Sequence, residues 1–311
     1  MRAAARHTRL SERACCAASL PSPSLHGVSV AAPFQPDWRL GAHCLDAQTN
    51  HFQSQFFSDE SELQDDTMTT RKVLPVSSLP TLVTRDWSSH PQYIYSGYKS
   101  TLNRGPQQPL VPLKASLGEL RQPVYGHGSI GELDHDLTRN ARKNGEPLGE
   151  RMILTGQVFD ERRRPVRNTL IELWQANASG RYVHKVDQHD APLDPNFLGA
   201  GRCLTDDEGR YRFLTIKPGA YPWGNHVNAW RPQHIHLSLF GEHFGSRLVT
   251  QMYFPGDPLM PYDPMITGTP EKSRNRLVAD FSLDVTETGF ALGYQFDIVL
   301  RGADETPFET C

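Results

Sequence analysis

A series of short strand-like segments with no helices between them constrains the fold of this chain most. From residue 151 onward, apolar and β-branched stretches alternate with turns rich in Gly, Pro and Asp, and no amphipathic helix of twelve or more residues competes with them. In one such stretch Tyr294, Phe296, Ile298 and Leu300 share a single face, as side chains of a strand do. The predicted strands are 152–159, 168–175, 211–216, 234–240, 247–253, 279–285 and 294–300. This pattern predicts an all-β protein built as a β-sandwich.

Composition divides the chain into three segments. Residues 1–67 begin Arg-rich, Ser-rich and poor in acidic residues. They are predicted to be a disordered extension or to follow a misplaced start codon, with an organellar transit peptide as the alternative. Residues 68–150 are rich in Pro, Gly, Tyr and His without periodicity, which predicts an extended N-terminal arm. Residues 151–311 form the predicted sandwich domain.

Charge, hydropathy and cysteine spacing exclude several classes of protein. The net charge of −3 gives no basic surface for nucleic acid. No apolar run approaches the roughly 20 residues that cross a bilayer. The five cysteines are odd in number and irregularly spaced, unlike a secreted disulfide framework. A cytoplasmic protein is therefore expected.

Two histidines lie two residues apart in a predicted strand. Because side chains alternate along a strand, His234 and His236 project from one face while Ile235 points to the other. Two imidazoles a few ångströms apart can bind one metal ion. The pattern alone is weak, since His-x-His also arises by chance.

Two tyrosines and an arginine strengthen the prediction of a metal site. Pro222 favours an extended conformation at Tyr221, Tyr182 follows an apolar strand, and Arg231 places a positive charge just before the histidine strand. A phenol with a pKa near 10 ionises at neutral pH only beside a strong Lewis acid. Hard phenolate donors favour Fe(III) over Zn(II) or Fe(II). Each tyrosine considered alone can equally be a packed aromatic residue.

Three other interpretations compete with this metal site. The cluster Asp134-His135-Asp136 is a second candidate site, although a capped turn is the simpler explanation for it. Glu242, six residues after His236, would complete a cupin-type centre with two His and one carboxylate. The segments around 155–173 and 205–213 also resemble transthyretin-like sandwich modules, which bind or space without catalysing.

Six sequence stretches resemble the intradiol ring-cleaving dioxygenases. The stretches are 173–182, 191–197, 201–206, 216–223, 230–236 and 296–302. The resemblance runs from about Tyr98 to the C-terminus and is closest to the iron-bearing β subunits of the branch that cleaves protocatechuate. Residues 1–67 have no counterpart in it.

The resemblance implies a non-haem Fe(III) site with named ligands. Tyr182, Tyr221, His234 and His236 would hold the iron, and Tyr221 would also act as a base toward the catechol substrate. Arg231 would stabilise the carbanion-like form of the ring beside the carbon that O2 attacks.

The resemblance also implies a substrate, a product and a partner. Trp223, Tyr98 and Gln251 would lie beside the substrate and the oxygen pocket, although each can equally be a packing residue. Protocatechuate (3,4-dihydroxybenzoate) would be cleaved to 3-carboxy-cis,cis-muconate in the β-ketoadipate pathway of aromatic catabolism. A homologous α subunit would complete the pocket and contact the arm at 68–150. Relatives that act on catechol or hydroxyquinol carry a helical N-terminal domain, which this sequence does not predict.

Overall fold

Among the described residues, strands paired in sheets are the main regular secondary structure, and helices are few and short. The computed structural model describes residues 86–109, 111, 126–227, 230–241 and 248–309. Its strands are β1 Arg151–Phe159, β2 Leu170–Trp174, β3 Ala200–Leu204, β4 Arg210–Ile216, β5 Tyr221–Pro222, β6 Trp230–Arg231, β7 His234–Phe240, β8 Leu248–Tyr253, β9 Asp280–Phe281, β10 Leu292–Gln295 and β11 Ile298–Val299. Its helices are α1 Thr101–Arg104, α2 Pro264–Gly268 and α3 Glu271–Arg274, with 3-10 turns at Trp87–Ser89, His127–Ser129, Met260–Tyr262 and Asn275–Leu277. The predicted all-β class is confirmed.

The first sheet is organised around β1. Strand β4 pairs with β1 in antiparallel orientation, while β10 and β11 pair with it in parallel, one after the other along its length. Strand β9 then pairs with β10. The parallel pairing joins the middle of the sequence to its C-terminal part.

The second sheet carries the predicted histidine strand. Its order is β3-β2-β7-β8, and every neighbouring pair is antiparallel. Strand β7 is covered by a strand on each side, and all but its last residue is buried. Because β7 is buried between two other strands, its pairing register is fixed, and so is the side of the sheet on which each of its side chains lies.

Apolar side chains from both sheets form one core, which is what a sandwich requires. Leu154 and Phe213 contribute from the first sheet, and Ile171, Ile235 and Leu237 contribute from the second. All five are at most 1% exposed. Burying a side chain of this size stabilises the fold by about 1.5–3 kcal/mol.

Two predicted strands were wrong in extent. The strand predicted at 294–300 is divided into β10 and β11, because Gln157 N of β1 donates to the side-chain Oδ1 of Asp297 at 3.0 Å and not to a backbone carbonyl of this segment. The strand predicted at 279–285 is reduced to β9, because Ser282 begins a turn in which Thr286 Oγ1 donates to its carbonyl at 2.8 Å.

The described parts of the predicted arm pack on this chain's own sandwich. Leu137 is fully buried within the core cluster, and its backbone N–H donates to Leu214 O at 2.8 Å. Lys99 N donates to Asn225 O at 2.9 Å. A contact between this arm and a partner subunit stays a prediction. The segment boundaries at 67/68 and 150/151 also stay predictions. Residues 1–85 lie outside the described residues.

Within the described residues, no helix is long and apolar enough to cross a membrane. Cys203, the one cysteine among them, is a buried free thiol.

Candidate metal centre

The histidine pair lies on one face of β7, as predicted. Ile235 between them is buried in the apolar core, and the imidazole rings are 4.9 Å apart between centroids. His236 lies opposite Trp174 of β2 in the strand register. Their rings stack at 4.8 Å with an interplanar angle of 5°. Strand alternation thus places the imidazoles together, and Trp174 packs against one of them.

Each imidazole has one nitrogen engaged by a fixed acceptor. His234 Nδ1 lies 2.7 Å from Pro232 O, and His236 Nδ1 lies 3.0 Å from Glu309 Oε2. A carbonyl and a carboxylate can only accept, so both Nδ1 atoms carry the proton. Both Nε2 atoms therefore carry a free electron pair in the neutral imidazole, which is the form that ligates a metal.

The two phenols are brought together by closely packed loops. Gly180 has a φ of 80°, and a Cβ there would lie 2.2 Å from the backbone oxygen of Ala220. A Cβ on Gly219 would lie 2.4 Å from Ala178 O. Only glycine permits this approach of the loop carrying Tyr182 to the strand carrying Tyr221.

Tyr221 faces the guanidinium across a two-stranded ribbon. The residue is extended in β5, as Pro222 predicts, and pairs directly with Arg231 of β6. Arg231 Nη1 lies 3.4 Å from the Tyr221 hydroxyl. That hydroxyl is also 3.4 Å from His234 Nε2. Phenol, guanidinium and imidazole thus meet at one point.

Tyr182 completes the set with a polar atom that lacks a fixed partner. Its ring meets the Tyr221 ring edge-on at 5.3 Å between centroids and lies 6.3 Å from the His236 ring. Among the described residues, its buried hydroxyl has no hydrogen bond of ordinary geometry. A buried hydroxyl without a hydrogen bond normally lowers the stability of the fold. Its presence here therefore indicates that the phenol oxygen binds a ligand.

Arg231 is held by a buried polar network. Its Nη2 is 2.9 Å from Asp263 Oδ2, and the two side chains are 2% and 0% exposed. The same nitrogen donates to Gln251 Oε1 at 2.6 Å and to Tyr253 Oη at 2.9 Å. Its Nη1 lies 3.0 Å from the electron pair of His234 Nε2. The guanidinium is thereby fixed beside the imidazole.

The electrostatics of the site keep the phenols neutral and the arginine charged. Burial raises the pKa of Tyr182 well above its usual value, and the adjacent Tyr221 raises it further. Burial also raises the pKa of Tyr221, although Arg231 opposes that shift. Burial disfavours the charged form of Arg231, but Asp263, Tyr221 and Tyr253 together outweigh burial and raise its pKa well above the usual value.

Two further groups take complementary protonation states. Burial and then Arg231 lower the pKa of His234 well below its usual value, so its imidazole is neutral. Burial opposes ionisation of Glu309, but His236 and Arg231 hold its pKa below the usual value. A carboxylate therefore faces the Nδ1–H of His236.

The donor set fits a ferric ion. Within the part of the chain that the structure describes, no group of three or more His, Cys, Asp or Glu side chains could hold a metal. The donors that converge are two imidazoles and two phenols, one of which has a buried hydroxyl without a hydrogen bond among the described residues. Phenols with raised pKa values lose their protons at neutral pH only when a strong Lewis acid binds the oxygen, which favours a hard trivalent ion.

The residues predicted to contact substrate also lie beside this centre. Tyr98 is buried, and its ring contacts Trp223 edge-on at 4.8 Å between centroids. The guanidinium carbon of Arg231 lies 5.2 Å from the centroid of the Trp223 ring. Gln251 faces His236 across the register of β7 and β8. Their contact with substrate stays a prediction.

Sequence reasoning missed three residues of the site. Asp263 and Tyr253 bind Arg231, and Glu309 binds His236. Tyr253 carried a usable signal, because it lies two residues after Gln251 in a predicted strand and therefore shares its face. The two carboxylates lie in segments without strand periodicity, and nothing local distinguishes them.

The second candidate metal cluster is a capped turn. Asp136 Oδ1 accepts from Thr138 N at 3.0 Å, and Asp134 Oδ2 accepts from Arg202 Nε at 2.7 Å. Both carboxylates therefore have structural partners, and the simpler explanation is confirmed.

Comparison with known proteins decides the family. A family model described as "Dioxygenase" matches residues 120–302. A second, described as "Protocatechuate 3,4-dioxygenase beta subunit N terminal", matches residues 83–116. The protocatechuate 3,4-dioxygenase beta chain of Burkholderia cepacia is 71% identical over 231 residues, which are 74% of this chain and 98% of that protein. The chain belongs to the intradiol ring-cleavage dioxygenase family.

Other relatives of this intradiol dioxygenase are more distant. The protocatechuate 3,4-dioxygenase alpha chain of Pseudomonas putida is 30% identical over 178 residues, 56% of this chain and 83% of that one. The crystal structure of 3-chlorocatechol 1,2-dioxygenase from Rhodococcus opacus 1CP matches with 23% identity and a TM-score of 0.43, covering 55% of this chain and 66% of that one. The cupin and transthyretin-like interpretations are wrong, since the family-model match spans the sandwich domain up to residue 302.

Proposed function

We propose that this chain is the iron-bearing β subunit of a protocatechuate 3,4-dioxygenase. It cleaves protocatechuate between its two hydroxyl carbons, consumes O2 and yields 3-carboxy-cis,cis-muconate. The observation that carries the proposal is the meeting of two phenols and two imidazoles beside a buried guanidinium. The 71% identity to the Burkholderia cepacia beta chain supports the choice of substrate.

Tyr182, Tyr221, His234 and His236 are the residues that would hold a non-haem Fe(III). Bound there, Fe(III) would act as a Lewis acid that keeps the phenols and the substrate hydroxyls ionised. The histidines need no rearrangement of protons for this role, because their Nδ1–H groups are already donated to Pro232 and Glu309.

Tyr221 would serve as a base as well as a ligand. Burial raises the pKa of its phenol, so its ionised oxygen would bind a proton strongly. It could therefore take one hydroxyl proton from a catechol held beside it. Tyr182, whose buried hydroxyl has no hydrogen bond of ordinary geometry among the described residues, would stay in place as a ligand.

Arg231 would stabilise negative charge that develops on the substrate ring. Its charge is buried and fixed by Asp263, Gln251 and Tyr253, so it needs no reorientation during the reaction. Preorganised charges of this kind typically contribute about 10²–10³ in rate. Its Nη1 lies beside both Tyr221 and His234, where the substrate would be held.

The substrate carboxylate would be recognised partly by a partner. Tyr98 and Trp223 would line the side of the pocket formed by this chain, with Gln251 toward the oxygen pocket. A homologous α subunit, of the kind named among the relatives, would complete it and contact the arm at 68–150. We also propose a cytoplasmic location, which is supported by the free thiol of Cys203.

Product analysis tests this proposal. The chain is co-expressed with an α subunit, loaded with iron and supplied with protocatechuate, catechol or hydroxyquinol under ¹⁸O2. We expect 3-carboxy-cis,cis-muconate with both oxygen atoms of O2 incorporated, and the highest kcat/KM for protocatechuate. A yellow semialdehyde product, formed by cleavage beside the diol, would contradict the assignment. Preference for catechol or hydroxyquinol would overturn the substrate but leave the chemistry.

A further inference from the structure

The last described residues of the chain, 304–309, form a tail that runs along the edge of the second sheet. Glu309 N donates to Val249 O at 2.7 Å, and Thr250 Oγ1 donates to Pro307 O at 2.6 Å. Strand β8 forms that edge, so the tail occupies hydrogen-bonding groups that the sheet itself leaves open. Its backbone is consequently fixed beside the metal centre.

The N-terminal segment holds the same tail from its other side. His90 Nδ1 accepts from Phe308 N at 3.2 Å, and the two rings stack at 4.4 Å between centroids. His90 Nε2 lies 3.3 Å from Glu305 Oε2, with both side chains fully buried. The tail is thus fastened between the arm and the sheet.

This fastening delivers one carboxylate to an iron ligand. Glu309 Oε2 lies 3.0 Å from His236 Nδ1, and the two side chains are only 18% and 10% exposed. Trp174 stacks on the imidazole at the same time. Stacking on Trp174 therefore fixes the plane of the His236 ring, and the hydrogen bond to Glu309 fixes which edge of the ring points to the tail. Nε2 remains available for the metal.

The two histidine ligands differ in the partner that orients them. His234 donates to the neutral carbonyl of Pro232, which comes from the same turn. His236 donates to a carboxylate that arrives from 73 residues away. A carboxylate partner fixes the tautomer and also makes the imidazole a stronger donor, and its loss typically costs about 10–100-fold in metal affinity or activity.

We propose that Glu309 is a positioning residue for iron binding, which acts through its hydrogen bond to His236. The contacts of the tail with His90 hold Glu309 in place. The inference rests on the proposed function, because it concerns the iron that this function requires. Glu309 contacts the iron-binding residue His236 but is not one of the four residues that would bind the iron. The segment 305–309 thereby becomes part of the metal site.

The test is the rate at which a chelator removes iron from the αβ complex. Glu309→Ala is expected to lose iron about 10–100-fold faster than the wild type. Glu309→Gln keeps an oxygen that can accept from Nδ1–H, so we expect release at a rate between those two. Asp304→Asn is the matched control, because Asp304 lies on the same tail but is 60% exposed and pairs with Arg163. It should release iron at the wild-type rate.

The thermal midpoint of the iron-free complexes separates positioning from simple packing. Positioning predicts nearly equal midpoints for the wild type and Glu309→Gln, which keeps an acceptor for Nδ1–H, together with faster iron loss from the Gln variant. Wild-type iron release from Glu309→Ala would overturn this inference alone, whatever its midpoint. A wild-type complex that holds no ferric iron would overturn the proposed function and this inference with it.

Discussion

The two halves of the metal centre are built differently. On the histidine side, β6 carries Arg231 and β7 carries His234 and His236. The polar atoms that orient these residues are engaged by carbonyl, carboxylate, amide or phenol groups. On the phenol side, Tyr182 lies in a loop and its buried hydroxyl lacks a hydrogen bond of ordinary geometry. The groups that orient the histidines and Arg231 are thus bonded without metal, whereas the hydroxyl of Tyr182 would gain its partner from the metal.

This difference predicts which substitutions affect folding and which affect iron alone. Residues of the histidine side belong to the buried network, so their removal should cost stability even in the iron-free protein. The phenol of Tyr182 should matter only when iron is bound.

The largest expected effect on stability comes from Arg231. Arg231→Met leaves the buried carboxylate of Asp263 without its cation. We expect a loss of about 3–5 kcal/mol in the free energy of unfolding of the iron-free protein, measured with urea. The control is Arg163→Met, because the Arg163–Asp304 pair is 57% and 60% exposed. It should cost no more than about 1 kcal/mol. Equal losses in the two variants would remove the distinction between the buried network and the surface.

Tyr182→Phe should have the opposite profile. Removing a buried hydroxyl without a fixed partner should leave the iron-free protein as stable as the wild type, or more stable by up to about 1–3 kcal/mol. Iron binding should be lost, as measured by metal content. Tyr211→Phe is the matched control, because Tyr211 Oη donates to Phe296 O at 2.5 Å. That variant should keep iron and lose about 1–3 kcal/mol. A destabilised Tyr182→Phe that retains iron would contradict the comparison.

The smallest effect is expected in the turn at 131–138, away from the centre. Asp134→Asn weakens a half-buried pair with Arg202 and should lower stability by no more than about 1 kcal/mol. Iron content and kcat/KM should equal those of the wild type. A loss of iron in Asp134→Asn would indicate that the turn at 131–138 contributes to metal binding after all.

The sequence predicted the interior strands best. Strand β7 was predicted with its observed bounds, because a buried central strand leaves a strong alternating pattern at His234, Ile235 and His236. Strand β3 was not predicted, since Gly201 and Arg202 interrupt any apolar alternation. The division of the strand at 294–300 was not predicted either. It depends on a hydrogen bond between Gln157 N and the Asp297 side chain, which cannot be inferred from the residues next to Asp297.

The same physical reason separates the site residues that could be predicted from those that could not. His234 and His236 are close in sequence, and Tyr221 has a proline that fixes its conformation, so local rules apply to them. Asp263 and Glu309 reach Arg231 and His236 across 32 and 73 residues. Only the folded arrangement of the sheets and the tail brings these carboxylates to the centre.

The visible spectrum of the iron-loaded αβ complex, recorded without oxygen before and after addition of protocatechuate, tests the central claim most directly. Two phenolate ligands predict a deep red band that shifts when substrate binds and returns after air is admitted. The Tyr182→Phe complex should lack the band. A colourless wild-type complex that holds no iron would contradict the assignment of Tyr182, Tyr221, His234 and His236 as ligands, leaving them as packed side chains of the sandwich.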